Sequence, residues 1–577
     1  MTDTTDAAFA TLSAGHHLAA SGNEQFVVRT VPLGGGKLSR ALRGESAGSV
    51  DHAAADGEAV RAARAWLPTR PSSPGAWRAR ADTVRASHAT PDWHAALAPA
   101  FAATGAAADR LARAAQSGVL VTTGQQPGLF GGPTYTWTKA IGALALADAL
   151  EREIGMPVAP VFWAATDDSD WAEAAASYLL TRDGLRRISL AGPASDGVSM
   201  SDVPLGEVGD ALDALRAASG SAAHASVLDE VASSYVPHAT VGAAYLQLLR
   251  SLLEPLGIAV LDASHPSLRT AADPFLRRAL AKATVVAERL TERTREMERA
   301  GFVPQVDTID ALSLVFQSRI GATGLVSDRV RERIPLTDAT RLVREAEIGT
   351  LGPNVLLRPV MERCLLPTVA YCAGPGEFAY FAQVTPVAEA LHAEIPLPVP
   401  RWAGELVETR DLRALDDLGL EEGALQDPHA AESLLARRAA PDGVMDAMER
   451  LRVTVDAQSR AIASAIESAD SVIAPAVSDG LARDLMQRID RFDRRVAAGV
   501  KRRETDLMRD ISRLRAAFRP MGQSPERVLN LIPALARHGR VVFDSMRTAA
   551  SQHARELIGT ADAGATNAAQ RDIADGG

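Results

Sequence analysis

Short apolar runs recur along the first 400 residues, and each is followed by a turn and a stretch with helical periodicity. Five of them have the length and composition of buried parallel strands. They are residues 119–123, 160–165, 258–262, 367–371 and 397–401. Alternation of strands and helices over this length predicts an α/β fold with an open, doubly wound, Rossmann-like parallel sheet.

Two stretches between these strands are too long for simple crossovers. We predict inserted connecting segments near residues 176–250 and 270–350, within a core domain that covers residues 1–402. Inside the second segment, Gly321 and Gly324 follow a strand-like run, which predicts a β-hairpin around residues 320–324.

The pattern changes past residue 403. Residues 403–443 are polar with helical stretches and predict a helical connector. Apolar residues then recur at three- and four-residue steps in two series, from Met448 to Ile466 and from Leu481 to Leu514, separated by Ala474-Pro475 and Gly480. This spacing predicts an antiparallel coiled-coil arm over 444–519. The alternative is two amphipathic helices packed on the main domain. Residues 520–577 are predicted as a C-terminal helical segment with a disordered tail.

Composition and charge exclude several classes of function. The 577 residues carry a net charge of −10, which argues against a nucleic-acid partner. No apolar run approaches the roughly 20 residues that cross a bilayer, and the acidic start of the chain does not read as a secretory signal. Two cysteines, Cys364 and Cys372, are too few for a disulfide framework or a metal knuckle. We expect a cytoplasmic protein without a membrane partner.

The stretch 121–139, VTTGQQPGLFGGPTYTWTK, begins as a buried strand and ends as a helix, with four glycines and two prolines between. Such a corner lets backbone N–H groups approach a ligand, and the following helix presents its positive N-terminal end. Lys139 is one of only four lysines among 61 basic residues. We predict a cradle for a phosphate or carboxylate; the alternative is a corner required by packing alone. The candidates are Thr123, Gly124, Gln125, Gln126, Gly131, Gly132, Tyr135 and Lys139.

Three aspartates follow the second predicted strand, at the end where doubly wound sheets bind ligands. Asp167 and Asp168 are candidates to hold a substrate ammonium group, to coordinate Mg²⁺ or to act as a general base, with a structural role as the alternative. Asp170 followed by Glu173 has the spacing of a capping box, so we expect Asp170 to cap the next helix. The predicted catalytic residues are Lys139, Asp167 and Asp168, and no dedicated metal cluster is predicted.

A second tight corner is predicted at Gly374-Pro375-Gly376. Glu377, Tyr380 and Gln383 follow it at helical spacing on one face. Arg358 lies among apolar residues, where an unpaired guanidinium is costly, so we expect it to meet a carboxylate or a substrate anion. The binding candidates here are Asn354, Arg358, Tyr371, Gly374, Gly376, Glu377, Tyr380 and Gln383.

Several blocks carry a resemblance to one family. They are TTGQQPGLFGGPTYTWTK (122–139), PVFWAATDDSDWAE (160–173), LDASHPSLR (261–269), PNVLLRPVMERCLLPTVAYCAGPGEFAYFAQ (353–383) and SPERVLNLIPALARHG (524–539). Together they resemble the cysteine-adding ligases of bacillithiol biosynthesis. The resemblance implies a Rossmann-like core with two inserted segments, a coiled-coil arm used in dimerisation, and addition of cysteine to glucosaminyl-malate to give bacillithiol.

The chain departs from that family at one position. The family's second block reads Glu-Asp-His-Asp, whereas this chain has Asp167-Asp168-Ser169-Asp170. Ser169 therefore replaces an imidazole that could titrate near neutral pH or ligate a metal. If that imidazole transfers a proton in the family, this chain needs another base.

The implied reaction joins a carboxyl group to an amine, which requires activation of the carboxyl group. We expect ATP, with or without Mg²⁺, to provide it, with a phosphate or carboxylate at residues 124–135 and Lys139 offsetting its charge. The expected partners are L-cysteine, glucosaminyl-malate and a second copy of the chain. Two alternatives stay open: a non-catalytic dimeric nucleotide- or thiol-binding scaffold, and a group transferase with another activated donor.

Overall fold

The computed structural model describes residues 20–22, 24–44, 53–88, 90, 92–191, 197–320, 329–427, 429–441, 443–468 and 474–560. They form two compact units. The first contains the described parts of Met1–Leu179, Arg187–Leu406 and Glu526–Gly577, and the second contains Leu180–Arg186 and the described parts of Val407–Pro525. The prediction gave residues 520–577 a segment of their own, whereas the described residues from Glu526 onward belong to the first unit.

A five-stranded parallel sheet organises the first unit. Its strands correspond to the five predicted ones, which confirms the α/β, Rossmann-like prediction. In spatial order they are Leu397–Pro400, Thr368–Ala373, Val119–Gln125, Val158–Ala164 and Ala259–Asp262. The central pair runs in unbroken register from Val119 opposite Val158 to Gln125 opposite Ala164. Their carboxyl ends therefore meet at one edge of the sheet.

Both faces of the sheet are covered. Alternate side chains of a strand point to opposite faces, and the strand Val158–Ala164 divides its residues between two hydrophobic clusters in that way. On one face the helix Thr134–Ile154 packs against Val541–Ile558, with the rings of Trp137 and Phe543 5.8 Å apart. On the other face lie Pro266–Ala281 and Pro375–Leu391. The sheet is thus doubly wound.

The inserted segments supply much of the remaining structure of the first unit. The first contains strands Ala176–Thr181 and Gly184–Ser189 and helices Gly209–Ser219, Ser226–Ser234 and Val241–Leu253. The second contains helices Pro266–Ala281, Ala283–Arg299 and Leu336–Glu345 and strands Leu312–Ile320, Arg329–Pro335 and Leu351–Pro353. Leu312–Ile320 and Arg329–Pro335 pair antiparallel, so the predicted hairpin is present. The residues that join these strands, 321–328, and with them most of the predicted turn at 320–324, lie outside the described residues.

Elements near the two ends of the chain complete this unit. Strands Ala20–Gly22, Phe26–Thr30 and Gly404–Glu408 form a small sheet, which the apolar pattern did not predict. This unit also contains the helices Lys37–Arg43, Ala53–Ala65, Pro74–Ser87, Trp93–Phe101, Gly105–Ser117 and Arg358–Leu365. After residue 524 the helices are Pro525–Val528, Ile532–His538 and Val541–Ile558. The predicted disordered tail lies outside the described residues.

The second unit is helical. Its helices are Thr409–Asp417, Ala430–Arg438, Val444–Ser468, Pro475–Arg503 and Thr505–Phe518. Val444–Ser468 and Pro475–Arg503 form a hairpin, here called the arm, in which Arg452 pairs with Asp490 at 2.8 Å. The second apolar series was predicted to continue the arm to Leu514, but the helix ends at Arg503. Ile511 is instead buried in the helix that follows, in a cluster with Leu415.

Candidate active site

A cavity of about 310 Å³ opens at the carboxyl ends of the parallel strands, the edge where doubly wound sheets bind ligands. Small-molecule sites span ~300–1,000 Å³. The strand ends at Gly124 and Trp163 form part of its wall, together with Ser199 of the first inserted segment and Arg331 of the second. The predicted residues that line it are Gly124, Gln125, Gln126, Lys139, Asp167, Asp168, Asn354, Arg358, Tyr371, Glu377 and Tyr380.

Lys139 lines the cavity, but the protein itself occupies its ammonium group. Nζ donates to Gly124 O at 2.9 Å and to Gln125 Oε1 at 2.8 Å, and it lies 2.7 Å from Glu377 Oε2. Lysine has three N–H donors, so these acceptors saturate it. Burial lowers the pKa of Lys139 and Glu377 opposes that shift; with a carboxylate this close, the geometry holds the charged form. This geometry differs from the predicted role, because Lys139 neutralises Glu377 rather than a ligand.

Glu377, the ion-pair partner of Lys139, lies in the first turn of the helix Pro375–Leu391. Its Oε2 accepts from Gly374 N at 2.7 Å and its Oε1 from Tyr371 OH at 2.7 Å. Burial alone would raise the pKa of Glu377, but Lys139 and these hydrogen bonds outweigh it and the pKa is lowered. Glu377 is therefore an ionised acceptor that fixes its neighbours, and Gly374 gives its N–H to this carboxylate rather than to a ligand.

Arg358 meets a carboxylate, as expected. Nη1 donates to Glu362 Oε2 at 3.1 Å, one helical turn onward, and Nη2 donates to Tyr371 OH at 3.1 Å and Tyr380 OH at 3.3 Å. Glu362 is fully buried, so the ion pair is closed on the side away from the cavity. Arg358, Tyr371 and Glu377 thus form one connected wall.

Asp167 and Asp168 stand on another wall. Asp168 Oδ1 accepts from Asp170 N at 2.9 Å. Burial, with Asp167 nearby, raises the pKa of Asp168 against the effect of that hydrogen bond. Asp167 has its carboxylate 3.8 Å from Arg331 Nη1. Asp168 is therefore a carboxyl group that takes up a proton more readily than an ordinary aspartate.

Asp170 caps the helix Trp171–Ala174, as predicted, and accepts from Glu173 N at 3.1 Å. The side chain of Glu173 does not complete a capping box. Its Oε1 accepts from Tyr135 OH at 2.9 Å, and that hydroxyl accepts from Gln125 Nε2 at 2.8 Å. Tyr135 is thus bound to Gln125 beside the cavity without lining it. Glu173, whose spacing predicted a capping box, instead holds Tyr135 and lies outside the cavity lining.

In the first corner (residues 124–134), Gly124 lines the cavity, whereas Gly128, Gly131 and Gly132 lie outside its lining. Gly131 has φ +84°, and an added Cβ would lie 2.4 Å from Trp137 Cζ2. Asn530 Nδ2 donates to Phe130 O at 3.0 Å and to Gly132 O at 3.1 Å, while Tyr235 OH donates to Gly128 O at 3.2 Å. The N–H groups of Gly131 and Gly132 donate to Gly128 O at 3.0 Å and to Leu129 O at 3.2 Å. Neither glycine therefore presents a backbone donor to the cavity, unlike the predicted cradle.

The helix that follows this corner does not offer its N-terminus to the cavity either. Thr134 N donates to Leu529 O at 2.8 Å, and Pro133 pairs with Asn530 in an isolated β-bridge. Residues 529–530 belong to the block 524–539 and cover the first turn. The anion cradle predicted at 124–135 is thus reduced to Gly124, Gln125 and Gln126.

Three further predicted residues lie away from the cavity lining. Thr123 is buried and donates to Cys372 O at 2.9 Å. Gln383 is buried and accepts from Val306 N at 3.0 Å. Gly376 is exposed, and an added Cβ would meet only Gln305 Nε2, at 4.0 Å. Thr123 and Gln383 thus make hydrogen bonds inside the protein. At Gly376 there is room for a larger side chain, so the fold does not require glycine there.

Several lining residues were missed, chiefly Trp163, Ser199, Arg269 and Arg331. Arg331 lies in the run RVRERIP, which carries no motif, and only the pairing of the inserted hairpin brings it to the cavity. Trp163 lies in a predicted buried strand, and both Trp163 and Arg269 fall in blocks that carry the family resemblance (160–173 and 261–269). No sequence signal distinguished Ser199 or Arg331.

The fold and this charged cavity define a class: a Rossmann-like α/β protein with a small-molecule site at the carboxyl edge of its sheet and a C-terminal helical hairpin. Comparison with known families is more specific. The family model "Bacillithiol biosynthesis BshC, N-terminal Rossmann-like domain" matches residues 94–402, and "Bacillithiol biosynthesis BshC, C-terminal coiled-coil domain" matches residues 406–557. The chain belongs to the BshC family, which confirms the resemblance.

Similar curated proteins bear the name "Putative cysteine ligase BshC". One from Solibacter usitatus is 31% identical over 480 residues, which cover 80% of this chain and 89% of that protein. One from Koribacter versatilis is 31% identical over 450 residues, with 77% and 83% covered. One from Bacillus licheniformis is 24% identical over 450 residues, with 73% and 80% covered. Among the described helices, none has the length and apolar character to cross a membrane.

Proposed function

We propose that this protein is a cysteine ligase that joins the carboxyl group of L-cysteine to the amine of glucosaminyl-malate and so forms bacillithiol. Family membership supports the reaction class. The assignment of roles depends on Asp168. Its carboxyl group is half-buried, has a raised pKa and lies on the cavity wall at the carboxyl edge of the sheet. An amine gives up a proton as it forms an amide bond, and we assign the acceptance of that proton to Asp168.

The chemistry requires an activated carboxyl group, and ATP would supply that activation when bound. Mg²⁺ is usually held by one or two carboxylates together with phosphates and water. Among the described residues no group of three metal-ligating side chains occurs, but Asp167 on the cavity wall would supply the one carboxylate that this smaller requirement needs, and Asp168 remains the base. In the bond-forming step the amine nitrogen attacks the activated acyl carbon, the carbon–oxygen bond to the activating group breaks, and the amine proton passes to Asp168.

The direct test combines the purified protein with L-cysteine, glucosaminyl-malate, ATP and Mg²⁺, and follows bacillithiol by mass spectrometry. We expect Asp168→Asn to lower kcat by about 10²–10⁴-fold, the range of general-base catalysis. The base works deprotonated, so wild-type kcat should rise with pH through the raised pKa of Asp168, and this acid limb should disappear in the variant. Asp170→Asn is the matched control, because it lies in the same loop, is exposed, and Asn also caps helices well.

The absence of bacillithiol with ATP and with every other nucleoside triphosphate would contradict the ligase proposal. Product formation with another activated donor in place of ATP would favour a group transferase. Equal loss in Asp168→Asn and Asp170→Asn would reject Asp168 as the base while leaving the ligase reaction intact.

We also propose that the protein is a homodimer that associates through the arm. The support is the apolar surface of the arm, where Phe492 is 54% exposed and Leu481 45%. Because exposed apolar side chains are unfavourable in water, we propose that a second copy of the arm covers them. Phe492→Glu should shift the mass measured by light scattering from two chains towards one. Val303→Glu, at an 83% exposed site outside the arm, is the control. A monomeric wild type, or a Phe492→Glu protein that stays dimeric, would contradict the proposal.

A further inference from the structure

The cations that line the cavity differ in how completely the protein satisfies them. Lys139 has three protein acceptors, and Arg358 is held by a buried carboxylate and two phenols. Arg331 is different: it donates to two backbone carbonyls, Asp167 O at 2.8 Å and Pro353 O at 3.0 Å. Carbonyl groups orient a guanidinium without cancelling its charge. The carboxylate of Asp167, 3.8 Å away, offsets this charge only in part, because it makes no hydrogen bond to the guanidinium.

The position of Arg331 is fixed from several sides. Its guanidinium stacks on Phe316, 4.6 Å from the ring centroid, on the paired strand of the inserted hairpin. Its backbone N–H donates to Gly197 O at 3.2 Å. Its nearest carboxylate, on Asp167, is 3.8 Å away, beyond hydrogen-bond distance. Among the described residues no further acceptor receives its remaining N–H groups, so a rigid donor fork is presented to the cavity.

We propose that Arg331 binds the carboxylate groups of the malyl part of the acceptor substrate and thereby selects it. This inference rests on the proposed ligase function. The planar guanidinium fits a carboxylate with two parallel hydrogen bonds, which makes arginine the usual residue for that group. The acceptor's amine then lies towards Asp167 and Asp168. One molecule with an amine and two carboxylates thus offers partners both to Arg331 and to the neighbouring aspartates.

The reaction leaves the malyl carboxylates unchanged, so Arg331 contacts them equally in the ground state and in the transition state. Uniform binding of this kind affects KM and leaves kcat unchanged. A residue that only held Asp167 in place would instead alter kcat, because the base and the metal-binding carboxylate would move. The ratio of these effects separates recognition from positioning.

The test uses Arg331→Gln, which removes the charge but keeps an N–H donor for the carbonyls. The matched control is Arg333→Gln, on the same strand and also beside Phe316, with its guanidinium 5.6 Å from the ring centroid, but outside the lining of this cavity. Calorimetry measures binding of glucosaminyl-malate and of its dimethyl ester, which keeps the sugar and amine without the carboxylates. Initial rates with glucosaminyl-malate give kcat and KM.

We expect Arg331→Gln to weaken binding of glucosaminyl-malate and raise KM by about 10–100-fold, the loss of a charge-assisted contact. The ester should bind wild type and variant equally, and Arg333→Gln should behave as wild type. Equal weakening of diacid and ester, or a change in kcat alone, would overturn the inference. The inference would also be overturned if Arg269→Gln weakened binding of glucosaminyl-malate and Arg331→Gln did not. Arg269 is the other arginine of the lining that was not predicted as a site residue. If wild type binds as expected but forms no bacillithiol, the ligase proposal fails while the anion site stands.

Discussion

The two glycine-rich corners look alike in sequence but have different roles in the structure. In the first corner the glycines form a tight loop that protein donors fill, and only Gly124, Gln125 and Gln126 reach the cavity. In the second corner (residues 373–377) one backbone N–H, from Gly374, binds the carboxylate of Glu377, which faces the cavity. Glycine therefore indicates tight packing of the backbone in the first corner and, in the second, at Gly374, where an added Cβ would lie 3.1 Å from Glu377 Oε2. Side chains carry the chemistry in both.

The corners meet through the pair Lys139–Glu377. Lys139 leaves the helix after the first corner and ends on the carboxylate of the second, at 2.7 Å. The cavity floor is consequently a cross-linked unit of two strand ends and two helices. Such a floor holds Tyr371 and Arg358 in fixed positions, which is what a binding site requires.

Removing one member of this pair should give the largest effect. Lys139→Met leaves Glu377 charged and buried without its partner, and breaking a buried pair in this way costs about 3–5 kcal/mol. We expect the urea midpoint of the first unit to fall accordingly. Lys282→Met, which removes a single contact to Ala390 O at 3.2 Å, is the control and should change little.

The same pair should show a pH dependence. The pKa of Glu377 is lower in the folded chain than in the unfolded one, so its stabilisation is present at neutral pH and is lost as pH falls through the folded pKa. In the double variant Lys139→Met/Glu377→Leu this loss should disappear and part of the stability should return. Equal stability of Lys139→Met and Lys282→Met would show that Lys139 does not connect the corners.

Gly131→Ala should have the next largest effect and should distinguish the two corners. An alanine here would adopt φ +84° and place its Cβ 2.4 Å from the buried ring of Trp137. Left-handed backbone costs about 1–2 kcal/mol and overpacking about 1–3 kcal/mol, so we expect a loss of ~2–5 kcal/mol in unfolding free energy. Urea titration followed by Trp fluorescence measures it. Unchanged stability would mean that the first corner is open enough to admit a ligand.

Sequence patterns predicted the sheet well because a strand buried on both faces contains a short apolar run, which fills Val158–Ala164 and forms the first three residues of Val119–Gln125. They failed where long-range contacts decide. Asn530, 398 residues after Gly132, fills the first corner, and no local pattern shows which donor will occupy a set of carbonyls. Arg331 was missed for the same reason. It reaches the cavity only because its strand pairs with the strand that carries Phe316.

The helix break at Glu504 is a related failure. The apolar period continues from Val500 to Leu507 and Ile511, so periodicity alone predicts one helix. Burial of Ile511 against Leu415 requires the chain to turn, and this tertiary contact overrides the period.

Gly376→Ala should have the smallest effect. Gly376 lies in the first turn of the helix Pro375–Leu391, is exposed, and has no positive φ. An added Cβ would meet only the flexible end of Gln305, at 4.0 Å. Alanine favours helix by up to ~1 kcal/mol over glycine, and this gain is smaller in a first turn, so we expect stability to stay equal or to rise by a few tenths of a kcal/mol, with kcat and KM unchanged. A loss of acceptor binding in Gly376→Ala, with the urea midpoint preserved, would mean that a ligand approaches this backbone closely. The second corner would then be the glycine cradle that the first corner is not.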